Sequence, residues 1–153
     1  MRKMRRQDRA ISHQEAVELL KRSQYGILST VDADGRPYGV PLNYVYHNDS
    51  IYFHCAPVGH KLDNIRDNGK VSFCVVGDAE LVPDKLTSRY ESVILFGRAS
   101  EVDGGEKEAA FLAMVEKYAD RFLEKGKDCI KHVNDKAKII KISIEYLSGK
   151  ANK

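Results

Sequence analysis

The chain has 153 residues, of which 42% are hydrophobic and 31% charged, and carries a formal net charge of +3. That length suits one domain with a real core, because about 150 residues bury more than half of the surface an unfolded chain exposes. No apolar run approaches the roughly 20 residues of a membrane helix, and there is no phosphate loop, dinucleotide-binding glycine pattern or internal repeat, so one soluble domain over 1–153 is expected.

Residues 1–10 form a basic tail in which Arg2, Lys3, Arg5, Arg6 and Arg9 are set against Asp8 alone. No helix-turn-helix, finger or aromatic RNP pattern accompanies the charge, so a solvated or subunit-clasping tail is expected rather than a nucleic-acid arm. Neither an apolar segment nor a small-residue cleavage site follows. A secretory signal is therefore not expected, and the default location is the cytoplasm. Cys55, Cys74 and Cys129 are odd in number and widely spaced, which fits neither a disulfide framework nor a zinc site; reduced, mostly buried thiols are expected.

Ser12 and Glu15 form a capping-box pair ahead of Ala16, Val17, Leu19 and Leu20, which predicts a helix over 13–23. Residues 25–31 and 38–46 read as strands joined at Asp34-Gly35, a strong hairpin signal. Pro41 has no amide hydrogen for a ladder, so its strand belongs at an edge or carries a bulge. "HNDS" turns the chain into "SIYFHC", giving three consecutive antiparallel strands. Residues 70–76, 91–102 and 138–147 complete six strands, and 105–123 reads as an amphipathic helix with Ala110, Leu112, Met114 and Val115 on its inner side. Segments 77–90 and 124–135 remain as the long connections. Six mostly antiparallel strands with flanking helices make the expected fold mainly β (α+β), a small barrel or closed sheet rather than a βαβ fold.

The stretch "YFHCAPVGHKLDNI" (52–65) passes from a strand through a Pro and Gly turn into a short helix. Free amide groups and the helix dipole at that start favour an anion, Lys61 adds positive charge, and His60 adds a donor. A phosphate would offset the cation's conflict with the dipole; a solvent-facing His-Lys pair is the plainer alternative. His54 reads either as a hydrogen-bonded strand residue or as a proton donor near neutral pH. Tyr38, Tyr44, Tyr46 and Tyr52 read as packing or as the lining for a planar ligand. His13, His47 and His132 are assigned to the surface, and no metal spacing is seen.

"YGILSTVDADGRPYGVPLNYVY", "IYFHCAPVGHKLDNI" and "YESVILFGRASEV", with "YLSGKA" near the end, resemble the pyridoxamine 5'-phosphate oxidase-related flavoproteins. Within them the closer likeness is to the branch that includes the 5-nitroimidazole-resistance proteins. The resemblance runs from about Arg5 to Lys150. It implies the split β-barrel fold, here as a six-stranded antiparallel split β-barrel with flanking helices, and a homodimer with FMN held in clefts between subunits. His60 and Lys61 match the phosphate-binding positions, although the oxidases usually have Arg where His60 stands. Ile27, Leu28, Ser29 and Thr30 would lie along the isoalloxazine and ribityl chain, with His54, Cys55 and Ala56 beside the flavin. Glu91 and Ser92 would come from the partner subunit. The oxidases' C-terminal Arg-Leu…Pro element is missing from "IKISIEYLSGKANK", which argues against vitamin B6 oxidation.

Three functions follow as expectations. The first is an FMN-dependent oxidoreductase acting on a small molecule, with His54 as proton donor and nitroimidazole-type reduction as one activity. The second is a protein that binds or senses flavin or haem without turnover, with His54 or His60 as axial ligand. The third is a basic nucleic-acid-binding domain. In the dimer, Val93, Leu95 and Ala99 are expected to form the shared apolar face.

Overall fold

Ser12 and Glu15 close their capping box as expected: Ser12 Oγ accepts from the Glu15 amide at 3.1 Å, and Glu15 Oε2 accepts from the Ser12 amide at 2.8 Å. The structure is a computed structural model, and it describes residues 1–130 and 136–153. The first half of the chain holds β1 (Ala10–Ile11), α1 (His13–Arg22), β2 (Tyr25–Val31), β3 (Pro37–Asn43), β4 (Val45–His47), β5 (Ser50–Cys55) and α2 (His60–Asp67). The second half holds β6 (Lys70–Val82), β7 (Thr87–Val102), α3 (Gly104–Tyr118), α4 (Leu123–Ile130) and β8 (Lys138–Asn152). Among the described residues no helix is long and apolar enough to cross a membrane.

All strand pairings are antiparallel, in the order β3-β2-β6-β7-β8-β5-β4, with β1 on β8. The fold is mainly β, a split barrel, as expected. Among the described residues eight strands form it rather than six. The run 38–46 breaks at Tyr44, so β3 and β4 do not pair and sit at opposite ends of the sheet. A single residue separates them. Two Cα–Cα steps span at most about 7.6 Å, so the sheet must curl until its two ends meet at Tyr44. β3 is an edge strand, which accommodates Pro41 opposite Ile27.

Segment 77–90 is not a loop. Past an irregularity between Val76 and Ala79, β6 and β7 continue as a hairpin to a 3-10 turn at Pro83–Lys85. β8 likewise runs five residues beyond its expected end at 147, to Asn152. The helix expected over 105–123 stops at Tyr118, and α4 occupies most of the supposed second loop. His132 lies outside the described residues. The β4–β5 turn is a tight one, with Asn48 and Asp49 in the left-handed region that these residues tolerate.

Alternation fills the barrel. Leu28, Phe53, Phe73, Val75, Val93, Leu95, Ile140 and Ile142 point inward, and α1 closes one side with Ala16, Leu19 and Leu20. Val93, Leu95 and Ala99 are therefore core residues, not a face to share, because strand alternation sends Ile94 and Phe96 outward instead. A smaller cluster under α3 unites Ala110, Ala113 and Met114 with Val45, Tyr52 and Ile139; Leu112 and Val115 are only half-buried. Tyr44 and Tyr52 are packed, Cys55 is buried, Cys74 half-buried and Cys129 exposed, so the thiols are not uniformly buried. His13 is exposed as expected, whereas His47 is half-buried, its ring edge-on to Tyr52 with the ring centres 6.1 Å apart.

Candidate functional site

The stretch from β5 into α2 has a geometry that only glycine readily supplies. Gly59 is the N-cap of α2 with φ +155°, and open space lies where a Cβ would stand. The first helical bond runs from Asp63 N to Gly59 O at 3.1 Å, so the amides of His60, Lys61 and Leu62 precede the intrahelical ladder. Leu62 and Ile65 anchor the helix in the barrel core. Asn64, also buried, donates from Nδ2 to Thr30 Oγ1 at 3.0 Å. That bond fixes α2 against β2.

Around this start, the His60 ring stacks on Tyr38 of β3 with centroids 3.9 Å apart and planes 18° from parallel. Lys61 is half-buried, and its charge reaches the Cys55 thiol; burial still raises that thiol's pKa, with Lys61 pulling the other way. The result is a corner with backbone donors ahead of the helical ladder, one cation and one stacked imidazole. Anion binding is the chemistry such a corner favours. His60, Lys61, Thr30 and Cys55 come together here. Tyr38 and Asn64 belong with them: as text Tyr38 read more readily as packing than as the lining for a ligand, and nothing in the sequence marked Asn64.

The other expected site residues divide by face. Leu28 and Thr30 point into the barrel, so any ligand outside it meets only their backbone. Ile27 and Ser29 point outward, where Gly39 leaves their face uncovered: a Cβ there would lie 3.6 Å from Ile27 Cγ2 and 3.9 Å from Ser29 Oγ. Cys55 is buried and Ala56 exposed. Glu91 is tied to Arg22 by a short ion pair, and Ser92 pairs in register with Val76 and Lys150.

Register also measures a separation. Ser29 lies opposite Ser72, which lies opposite Phe96, so Ser92 is two strands and four residues away from Ser29. That is about 16 Å along the sheet. Within one chain, Glu91 and Ser92 do not border the corner at His60.

His54 is placed apart as well. It is exposed on the outer face of β5 and borders a slot walled by Phe111, Met114, Val115, Tyr118 and Ala119 near α3, with Asn43 beside it. Tyr118 and Lys117 hold that end of α3 against the barrel's closing point. Tyr118 Oη accepts from Tyr44 N at 3.1 Å and reaches Tyr44 O at 2.6 Å. Lys117 Nζ donates to Ser23 O at 2.6 Å and Tyr44 O at 3.0 Å, 4.0 Å from the centre of the Tyr44 ring. Burial pulls the Lys117 ammonium down to about 8. Burial likewise pushes the Tyr44 phenol up. Sequence reasoning gave α3 no site residue, because its contacts come from segments far away in the chain.

Known structures share this fold. A candidate 5-nitroimidazole antibiotic resistance protein from Bacteroides thetaiotaomicron is 22% identical, with a TM-score of 0.74 over 94% of this chain and 90% of that one. A conserved hypothetical protein from Mycobacterium tuberculosis is 20% identical, with a TM-score of 0.81 over 97% and 90%. A FAD-binding protein from Mesorhizobium loti is 25% identical, with a TM-score of 0.69 over 95% and 98%. No curated protein matches the chain. The family model described as pyridoxamine 5'-phosphate oxidase matches residues 12–151, nearly the whole barrel with α1 and the α2 corner, and the chain belongs to that family.

Proposed function

We propose that this protein is a cytoplasmic FMN-dependent oxidoreductase that reduces a small molecule, with nitro compounds as one substrate class. The observation that carries the reading is the Gly59-capped start of α2. Its free amides and Lys61 suit a phosphate, and the family match spans it. Lys61 and the His60 and Lys61 amides would hold the FMN phosphate, with Tyr38 keeping the His60 ring in place. Ile27 and Ser29, left open by Gly39, would border the ring system. When bound, the flavin supplies the redox chemistry. His54, without a hydrogen-bond partner among the described residues, would hold the proton that a reduced oxygen or nitrogen takes up.

Glu91 and Ser92, about 16 Å from Ser29 along the sheet, would complete the pocket from a second copy. The outward face of β6 and β7 supports such a homodimer, because Val76, Ile94 and Phe96 remain exposed there next to half-buried Cys74. Sedimentation giving only the monomer mass at micromolar concentration would reject it.

The test is the absorption spectrum of the purified protein followed by titration with FMN and riboflavin. Lys61→Ala should weaken FMN about tenfold to a hundredfold, the loss of one charge-assisted contact of about 1.5–3 kcal/mol. Riboflavin lacks the phosphate and should bind both forms alike. A chain that refuses FMN, or a Lys61→Ala variant that binds it as tightly as wild type, overturns the reading. A Soret band in place of flavin maxima would turn the assignment to haem.

A further inference from the structure

The fold brings Arg9, from the basic N-terminal segment, up to the barrel. β1 pairs with β8 at Ala10 opposite Lys150 and Ile11 opposite Gly149, and the Arg9 amide donates to Arg6 O at 3.0 Å, so Arg9 is fixed beside the end of β8. In β7, Tyr90 stands opposite Asn152 and Ser92 opposite Lys150, which sets Tyr90 and Lys150 diagonally on one face of the sheet. Lys150 Nζ lies 5.4 Å from the centre of the Tyr90 ring. Contact with the Lys150 ammonium, and after it with the Arg9 guanidinium, pulls the Tyr90 phenol below its ordinary value against the burial that would raise it. All three residues are half-buried.

Two cations thus converge on one phenol with no carboxylate to offset them. The acids beside them are committed elsewhere: Asp8 gives both oxygens to Arg6, Glu15 pairs with Lys153, Glu80 with Arg89 and Glu91 with Arg22. Asp78, which lines a hollow with Tyr90, pairs with neither cation. Among the described residues Arg9 and Lys150 have no ion pair at all. Like charges held together repel, and an anion between them turns that repulsion into attraction. A guanidinium, an ammonium and a phenol hydroxyl supply several donors at one point, a set that suits an oxyanion. The cluster is separate from the α2 corner of its own chain, because Tyr90 lies two strands across and six residues along β7 from Ser29, about 22 Å along the sheet. We propose that Arg9, Tyr90 and Lys150 form a binding site for the oxyanion group of a small molecule, a carboxylate or a phosphate, and that the bound anion ties the N-terminal segment to β7 and β8. β1 is only two residues long and holds that segment weakly by itself; an anion shared by Arg9 and Lys150 adds a second tie. The site does not rest on the oxidoreductase reading, since its three residues belong to one chain and none of them is assigned to the flavin.

Inorganic phosphate and benzoate, titrated separately into the full chain without flavin and followed by NMR of labelled tyrosine rings, provide the test. Expected is a saturable shift of the Tyr90 signal, identified as the one missing from Tyr90→Phe. Saturation by one anion and not the other assigns the group. Arg9→Gln and Lys150→Gln should each weaken binding about tenfold, the lower end for a charge-assisted contact. Lys85→Gln removes the same charge at the exposed turn between β6 and β7 and should change affinity less than about twofold, and Lys61→Ala should leave it unchanged. With the anion at about ten times its Kd, amide exchange across Ala10 and Ile11 should slow about tenfold, since β1 opens only after the anion leaves. No saturable Tyr90 shift with either anion overturns the site. Equal weakening by Lys85→Gln and Lys150→Gln also overturns it, because the attraction would then be to net charge alone, and weakening by Lys61→Ala would move the anion to the α2 corner. A Tyr90 shift without slower exchange in β1 overturns the tie between the N-terminal segment and the barrel.

Discussion

The α2 corner and the α3 clasp are both polar arrangements at the margin of one barrel, yet they are built in opposite ways. The corner draws most of its parts from residues 55–64 and borrows only Tyr38 and Thr30 from the neighbouring hairpin. The clasp joins Lys117 and Tyr118 to Ser23, Gln24 and Tyr44, segments more than seventy positions away in the sequence. A site assembled locally can be lost without the fold. A clasp that holds the barrel shut cannot.

The largest expected effect tests that contrast at Tyr44. It is fully buried, its hydroxyl donates to Leu20 O at 2.6 Å, and its ring stands edge-on to Phe73. Tyr44→Ala should cost about 3–5 kcal/mol in urea unfolding, the range for removing a buried aromatic ring. Tyr44→Phe, which keeps the ring, should cost about 0.5–1.5 kcal/mol. Equal losses in both would mean that the hydroxyl, not the packed ring, holds the closure.

Function should respond in the opposite sense. His54→Ala, on an exposed side chain, should leave the melting temperature within a degree or two, as surface substitutions do. It should nevertheless slow nitro-compound turnover by about 10²- to 10⁴-fold, the usual loss for a general acid. Unchanged turnover would remove His54 from the chemistry.

Asn64→Ala separates the corner's support from its ligand contacts. Deleting the amide strands the buried Thr30 hydroxyl, which should cost about 1–3 kcal/mol of stability and also weaken FMN, since α2 loses its tie to β2. Thr30→Val with Asn64→Leu should recover part of the stability, because two apolar partners leave nothing unsatisfied. Stability lost with FMN affinity unchanged would show that the corner is held by Leu62 and Ile65 alone.

The smallest effect is the pH response of the clasp. Lys117 has a folded-state pKa of about 8, below the ordinary lysine value of 10.5. Between those values the unfolded chain binds more protons than the folded one, so this group makes stability rise with pH from about 8 towards 10. Its unfavourable contribution is complete below pH 8. Lys117→Met should remove that slope, read as the difference in melting temperature between pH 7 and 9.5. Parallel curves for the two proteins would show that the carbonyls of Ser23 and Tyr44 fully offset the desolvation.

Local signals made much of this protein legible. The capping box at Ser12 and Glu15, the Asp34-Gly35 hairpin, the edge position of Pro41 and the strand-to-helix passage at Gly59 each depend on a few adjacent residues, and each appears as expected. The errors arise where distant parts decide. The run 38–46 carries strand propensity throughout, but Tyr44 breaks it because the barrel needs a residue that leaves one end of the sheet for the other. Segment 77–90 is rich in turn formers, yet the pairing of β6 with β7 carries the ladder through it.

By itself, then, the sequence determined the mainly β class, the first helix, the Asp34-Gly35 hairpin and the passage from β5 into α2, because period-two alternation, caps and turn residues act over a few positions. Tertiary structure alone decided which face of each strand was spent on the core. Val93, Leu95 and Ala99 and their neighbours Ile94 and Phe96 are equally apolar as text, and only the curl of the sheet buries the first set and leaves the second outside. It also decided the company His54 keeps: α3 reaches β5 only after the chain has passed through β6 and β7, and no local pattern in either segment encodes that meeting.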